Sequence, residues 1–560
     1  MNDSVFTLAE HYLDRAVELD PILGTALGRG PYPAGLPDLS PTGYSARADL
    51  NRTTLERASR LDCPPEEVVG RDLIQERLEA DLLYHDANEW LRHLDVIHSP
   101  QHEIKEGFDL MEKTSEEDWR LVAERLSHVP QAIAQYRETL TMGLARGVVA
   151  ARRQAQAAAR QAQETAARYF AHLVAEYQGK DARLSDQLNQ EAKRAAAAYQ
   201  ELASFLRSEY APHANPHDAV GEERWERFCR RVNGTVFAPR EAYEWGIEEL
   251  RRILAEIDSE GARILPGATR AELFDHLDED ETLTLHNEEA LRAWNQEQMD
   301  QAMTALQGVH FDIPEPLTQV EAMVAPPGGA AAMYYTGPSE DLSRPGRTWY
   351  PTLGRTSFPL WHELSTVYHE GVPGHHLQVG YATWMGPRLN AFQRSLGWVS
   401  GHGEGWALYA ERLMDELGFF EDPRFRVGFL SSQAFRATRV VIDIGLHLEL
   451  PGLDPDFRPL GTPWQAESAL GFLRACAGIE PGFAASEIDR YLGWPAQATS
   501  YKLGERAWLT LRDALRRDQG SAFSQKEFHM RALALGNLGL AQLEKAMLNK
   551  PNEIASGKDN

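Results

Sequence analysis

The sequence predicts a mainly α-helical protein with one small β region, and three observations lead there. Residues from about 67 to 257 are rich in Ala, Glu, Arg, Gln and Leu, with apolar residues three and four apart, as at Leu91, Leu94 and Ile97. Short β-branched and aromatic runs bounded by Pro and Gly occupy 316–357. Helical character returns over 358–448 and again over 464–549.

In chain order, residues 1–60 hold a helix and then the loop GRGPYPAGLPDLSPTG, whose prolines and glycines make it a surface connection or a lid. The Ala-rich pieces ARRQAQAAARQAQETAARYFAHLVAEY and LNQEAKRAAAAYQELASFLRSEY sustain no heptad of large apolar residues, so packed bundle helices are expected and not a coiled coil. The helix REAYEWGIEELRRILAEIDSEGARIL and the acidic DHLDEDETLT lead into three candidate strands, LTQVEAMVA, AAMYYTG and TWYPTLG, separated by PPGG and SRPGR. A helical lobe over 1–235 and a second lobe over 236–560, with the β region inside it, are the expected domains. No repeat of fixed period is found.

Composition narrows the function classes. With 57 basic and 83 acidic residues the net charge is −26, which argues against nucleic acid and anionic membrane as partners and leaves neutral, cationic or small ones. Three cysteines without CxxC spacing disfavour a disulfide framework and a thiolate zinc site. The N-terminus carries acids where a signal peptide needs bases, and no run of ~18 apolar residues follows, so a soluble cytoplasmic protein is expected. Oligomeric state is not legible.

The chemistry concentrates in WHELSTVYHEGVPGHHLQ, residues 361–378. His369-Glu370 opens the HExxH signature, in which one helix turn brings two histidines to one zinc. The fifth position here is Pro373, and histidines follow only at His375 and His376. On a straight helix six residues turn through about 600° and rise ~9 Å, which points His369 and His375 apart. Pro373-Gly374 permits a two-residue bulge that returns His375 to the second histidine position; otherwise the pair simply ends two helices at a Pro-Gly turn. The upstream doublet His362-Glu363 reads as core or as a support of the site.

A third ligand is sought in GHGEGWALYAERLMDELG. Glu404 and Glu411, seven apart, share a helix face beside Trp406, Leu408 and Leu413, and a buried carboxylate is costly unless paired or metal-bound. Glu404 is expected to bind the metal and Glu411 to accept a ligand histidine's N–H. A solvent-exposed acidic stripe is the alternative.

Taken in order, HEGVPGHHLQ, EGWALYAE, RATRVVIDIGLH and RYLGWPAQATSYKLGE resemble the bacterial family catalogued as domain of unknown function eight-eight-five, over most of 315–549. That family is similar in turn to the thimet oligopeptidase and carboxypeptidase Taq class of helical zinc peptidases. The resemblance implies a helical zinc-peptidase-like architecture, with a small sheet beside the HE helix and a deep cleft or channel. It implies one Zn2+ per chain on His369, His375 and Glu404, and the match of GHHL to the class's GHAL favours His375 over His376.

On that reading Glu370 serves as general base. The oxyanion donor is sought first in Tyr501, then in Tyr491, His447, Tyr334 and Tyr335. Asp443, four before His447, is expected to orient it unless the pair only stabilises its helix, and Arg490 and Lys502 are candidates for a substrate carboxylate. An edge strand beside the metal suits an extended peptide. The expected function is a zinc metallohydrolase, foremost a peptidase acting on oligopeptides or small amides. Its alternatives are a hydrolase of other amides or esters and a helical binding or scaffold protein with a degenerate metal site. A serine hydrolase is disfavoured, since GWVSG is not GxSxG.

Overall fold

Helix dominates because the periodic apolar faces find partners, and the computed structural model, which describes residues 4–325 and 332–549, divides them between two units. The first comprises 1–63, 77–220 and 486–495; the second comprises 64–76, 221–485 and 496–560. The units are discontinuous in the chain, with their longest segments meeting at 220/221. The segments 64–76 and 486–495, which cross to the other unit, carry no signature in local periodicity.

In the first unit the helix Glu116–Arg146 begins at a Ser115–Asp118 capping box and stops at Gly147 in the left-handed conformation. The Ala-rich helices Arg152–Glu164 and Ala182–Phe205 join it as bundle helices. Ala155, Ala158, Ala159 and Ala162 form a small-residue face in a core completed by Phe170, Tyr199 and Leu202. Short side chains let the backbones approach, and the buried Tyr199 hydroxyl is satisfied by donating to the Gln101 carbonyl at 2.6 Å.

The second unit is built around the helix Pro423–His447, buried along nearly its whole length from Val427 onward. It packs on Pro239–Ile264, which turns Leu250, Ile253, Leu254 and Ile257 inward. Helices Ser400–Glu416 and Ser500–Gln519 cross where a Cβ on Gly405 would stand only 2.6 Å from the Gly504 backbone. Tyr501 lies less than a turn before Gly504 on the second of these helices.

The small sheet has Gly346–Tyr350 at its centre, parallel to Val320–Val324 and antiparallel to Tyr334–Thr336. The expected strand TWYPTLG contributes only Thr348 to Tyr350. Pro351 has no N–H to donate, and Leu353 and Gly354 both take positive φ, so the strand instead extends backward to Gly346. The PPGG breaker at 326–329 falls outside the described residues. Among the described residues no helix is long and apolar enough to cross a membrane, and Cys63, Cys229 and Cys476 are free thiols.

Candidate metal centre

The helix Glu363–Glu370 ends where Gly371 closes its last turn, and a second helix, His375–Met385, starts four residues later. This corrects the expected bulge within one continuous helix: the Gly371–Gly374 link interrupts the helix, because Pro373 supplies no N–H to continue it. Hydrogen bonds tie the link down. Gly374 N–H donates to the Tyr368 carbonyl at 3.0 Å and His376 N–H to the Gly371 carbonyl at 3.1 Å. The Trp406 indole N–H reaches the carbonyls of Pro373 and Gly374, both at 3.0 Å. A Cβ on Gly374 would lie 1.9 Å from the His369 carbonyl oxygen, so only glycine allows the chain to fold back so tightly.

Folding back joins the two helix ends. His369, His375 and Glu404 bring one donor atom each within 4.8 Å of one another. Glu404 Oε2 stands 3.4 Å from His369 Nε2 and 3.5 Å from His375 Nε2. Bonds of ~2.0–2.1 Å to a tetrahedral zinc would put neighbouring donors about 3.4 Å apart, and Glu404 stands at about that spacing from each histidine. The donor set, two imidazoles and a carboxylate, is also what such an ion takes. Glu411 Oε1 accepts from His369 Nδ1 at 2.7 Å, and Ser365 Oγ donates to Glu411 Oε2 at 2.6 Å, which fixes the ring with Nε2 towards Glu404.

Electrostatics agree with the geometry. Burial alone would lower the His369 imidazole, but hydrogen bonds to Glu404 and Glu411 outweigh it and raise its pKa to about 9. Burial alone would raise Glu404 and Glu411, yet the histidines hold both below the usual carboxylate range, with Arg436 and Ser365 assisting at Glu411. Both carboxylates are thus held ionised at a largely buried point, with the His369 cation balancing part of their charge.

The cluster opens into a cleft of about 520 Å³, whose wall includes Glu370, Tyr334, Tyr335 and Tyr501. The Tyr501 ring stacks beside His369, centroids 6.5 Å apart. Tyr334 lies on Trp349, and the Tyr335 hydroxyl is 3.0 Å from His376 Nδ1. His376 is turned from the cluster: its Nε2 meets the Leu317 carbonyl at 2.8 Å, and burial lowers its pKa to about 4.

Four expected site residues serve the scaffold, as does Tyr491, one of the donors considered. His447 closes the Pro423–His447 helix, fully buried and off the cleft wall, its carbonyl accepting from Gly221 N–H. Asp443 accepts from the Trp225 indole at 2.7 Å and from Ala496 N–H at 3.1 Å, tying three segments together. Lys502 is buried against Glu505, Glu249 at 3.0 Å and Gln433 at 2.5 Å, so it neutralises acids of its own unit. Arg490 grips Glu487 through two hydrogen bonds, and Tyr491 donates to the same carboxylate, all within the first unit. Helical spacing gives the face a side chain occupies but not the partner waiting there.

Sequence reasoning passed over Trp398, Phe435, Phe483 and Arg436, which line the cleft together with Arg439. The only signal was RATR in the third motif, an i,i+3 arginine pair one turn apart. Arg439 lies between the rings of Phe435 and Tyr501, 4.1 and 4.8 Å from their centroids.

Of the upstream doublet only Glu363 is core, and His362 is exposed. His362 packs on Trp361, and burial pushes the Glu363 carboxyl up to about 7, offset in part by Arg355, with its Oε2 meeting no hydrogen-bond donor. A raised folded-state pKa means this group favours folding below about 4.5 and loses that contribution as pH rises through 7. Glu363→Gln is therefore expected to raise Tm at pH 8, by the equivalent of at most about 3 kcal/mol, and to change it little at pH 5. Melting curves at the two pH values check this; equal shifts at both would refute the assignment.

Residues 21–547 match the model of a family described as bacterial protein of unknown function (DUF885). No curated protein matches the chain. Two solved structures share its fold. One, described as a putative lipoprotein from Colwellia psychrerythraea, has a TM-score of 0.82 and 21% identity over 97% of this chain and 98% of that one. The other, a putative lipoprotein of unknown function from Shewanella oneidensis, has a TM-score of 0.74 and 17% identity over 98% of this chain and 100% of that one.

Proposed function

The chain belongs to this bacterial family of unknown function, and we propose that it is a zinc-dependent hydrolase acting on peptide bonds of oligopeptides or on small amides. The observation that carries the reading is the Glu404 carboxylate held 3.4 and 3.5 Å from two histidine Nε2 atoms at the floor of a cleft. A peptidase-like architecture and cytoplasmic residence belong to the same proposal, the latter resting on the free thiols.

His369, His375 and Glu404 would hold the ion, with Glu411 and Ser365 fixing the orientation of His369. When bound, such an ion supplies Lewis acidity and lowers the pKa of a water to about 7. Glu370 follows ligand His369 directly and lines the cleft, so it accepts the attacking water's proton and returns it to the leaving nitrogen. Tyr501 donates its O–H to the carbonyl oxygen as that atom gains charge. Tyr334–Thr336 is an edge strand with Tyr334 and Tyr335 on the cleft wall, and among the described residues it pairs on one side only, so an extended peptide backbone can add to it.

The test is elemental analysis of protein purified without chelator or metal-affinity tag. About one zinc per chain is expected, with His375→Ala and Glu404→Ala each removing most of it. Protein that stays metal-free after dialysis against zinc near neutral pH would overturn the hydrolase reading in favour of a helical binding protein.

A further inference from the structure

Arg436 stands on the cleft wall with its charge uncommitted. It lies one turn before Arg439 on the central helix of the second unit, half-buried. Among the described residues its hydrogen bonds all go to Ser432: Nη1 donates to Oγ at 2.7 Å and to the carbonyl at 3.4 Å. Its Nε is buried and meets no acceptor. Other half-buried arginines of the same unit behave differently. Arg424 grips Asp422, Arg426 grips Asp415 and Glu260, and the buried Arg512 grips Glu416. A guanidinium withdrawn from water without a carboxylate forgoes its strongest form of hydrogen bonding, the two-pronged fork. Its field is felt at Glu411, so it belongs electrostatically to the candidate metal centre.

The chain as a whole has a net charge of −26, which would repel an anionic substrate. At this one cleft two arginines lie on the wall, and the buried Phe435 ring packs against both guanidinium groups. A low-dielectric wall strengthens a charge-assisted hydrogen bond made there. A cleft of about 520 Å³ holds a short peptide segment, so an anionic group bound at Arg436 belongs to the residues flanking the scissile bond.

We propose that Arg436 is a specificity determinant that binds a carboxylate of the substrate, with Arg439 beside it. This rests on the hydrolase reading for its meaning but not for its test. The carboxylate comes either from the free C-terminus of the peptide or from an acidic side chain next to the scissile bond.

The experiment uses the full chain carrying Glu370→Gln, so that binding is read without turnover. By calorimetry it is titrated with acetyl-alanyl-phenylalanyl-phenylalanine as the free acid, with the same peptide as its C-terminal amide, and with an amide ending in glutamate. A carboxylate-bearing peptide is expected to bind about 10–100-fold more tightly than the plain amide. Preference for the free acid assigns the terminus; preference for the glutamyl amide assigns the side chain. Adding Arg436→Ala should erase the preference, and Arg436→Lys should keep part of it, which separates lost recognition from a damaged fold. Equal binding of all three peptides, an equal loss for all three in Arg436→Ala, or no binding of any would overturn the proposal. If carboxylate-selective binding depends on Arg436 while the native chain turns over no peptide, the hydrolase reading fails and this one stands.

Discussion

Glu370→Gln is expected to lower kcat/KM for peptide hydrolysis by about 100- to 10,000-fold while leaving the bound zinc in place. The substitution keeps the side chain's shape and removes its capacity to accept a proton. Glu370 is the last residue of its helix, it is 8% exposed, and it lies outside the three-donor cluster although it shares the cleft wall. A residue with that placement has little to contribute to ion affinity and much to contribute to moving a proton. The measurement pairs elemental analysis with the rate of product formation followed by mass spectrometry. Activity within about fivefold of the native chain would remove Glu370 from the mechanism, since general-base catalysis is worth far more than that.

Gly374→Ala should abolish zinc retention and destabilise the second unit by about 3 kcal/mol, at the upper end of what overpacking costs. The added methyl meets the His369 carbonyl oxygen at 1.9 Å and that of Tyr368 at 2.4 Å, both backbone atoms within the helix end they would have to leave. Opening the link to make room moves His375 away from Glu404 and loosens the two carbonyls that Trp406 holds. Ala at neighbouring Gly380, whose Cβ would meet only the Leu317 side chain at 3.1 Å, is the control and should keep its zinc. Retention of zinc by Gly374→Ala at the native level would show that the tight link is not what joins the two histidines.

The site depends on elements that are individually ordinary. A seven-residue interval on one helix gives both Glu404, a member of the cluster, and Glu411, behind His369, so one rigid element carries one cluster residue and the support of another. The Gly405–Gly504 crossing then sets the helix carrying Tyr501 against it. Asp443, which the sequence placed near the chemistry, instead anchors Trp225 and Ala496 and so holds the frame around the cleft.

By itself the sequence determined the helical class and the place of the small sheet, and it singled out His369, Glu370, His375, Glu404 and Glu411, which the fold brings to one place. Those features are encoded locally, in apolar periodicity, in breaker residues, and in the cost of burying a carboxylate beside Trp406 without a partner. Only the tertiary structure decided that the helix stops and restarts between the histidines, since hydrogen bonds from Gly374, His376 and Trp406 fix a link that no local propensity specifies. It also supplied the reason His376 stands apart from His375: its ring is taken by Tyr335 and Leu317 from outside its own helix. It alone also assigned Lys502 to the buried acids Glu249 and Glu505 and left Arg436 facing the cleft, because what a charged side chain does depends on which opposite charge long-range packing brings to it.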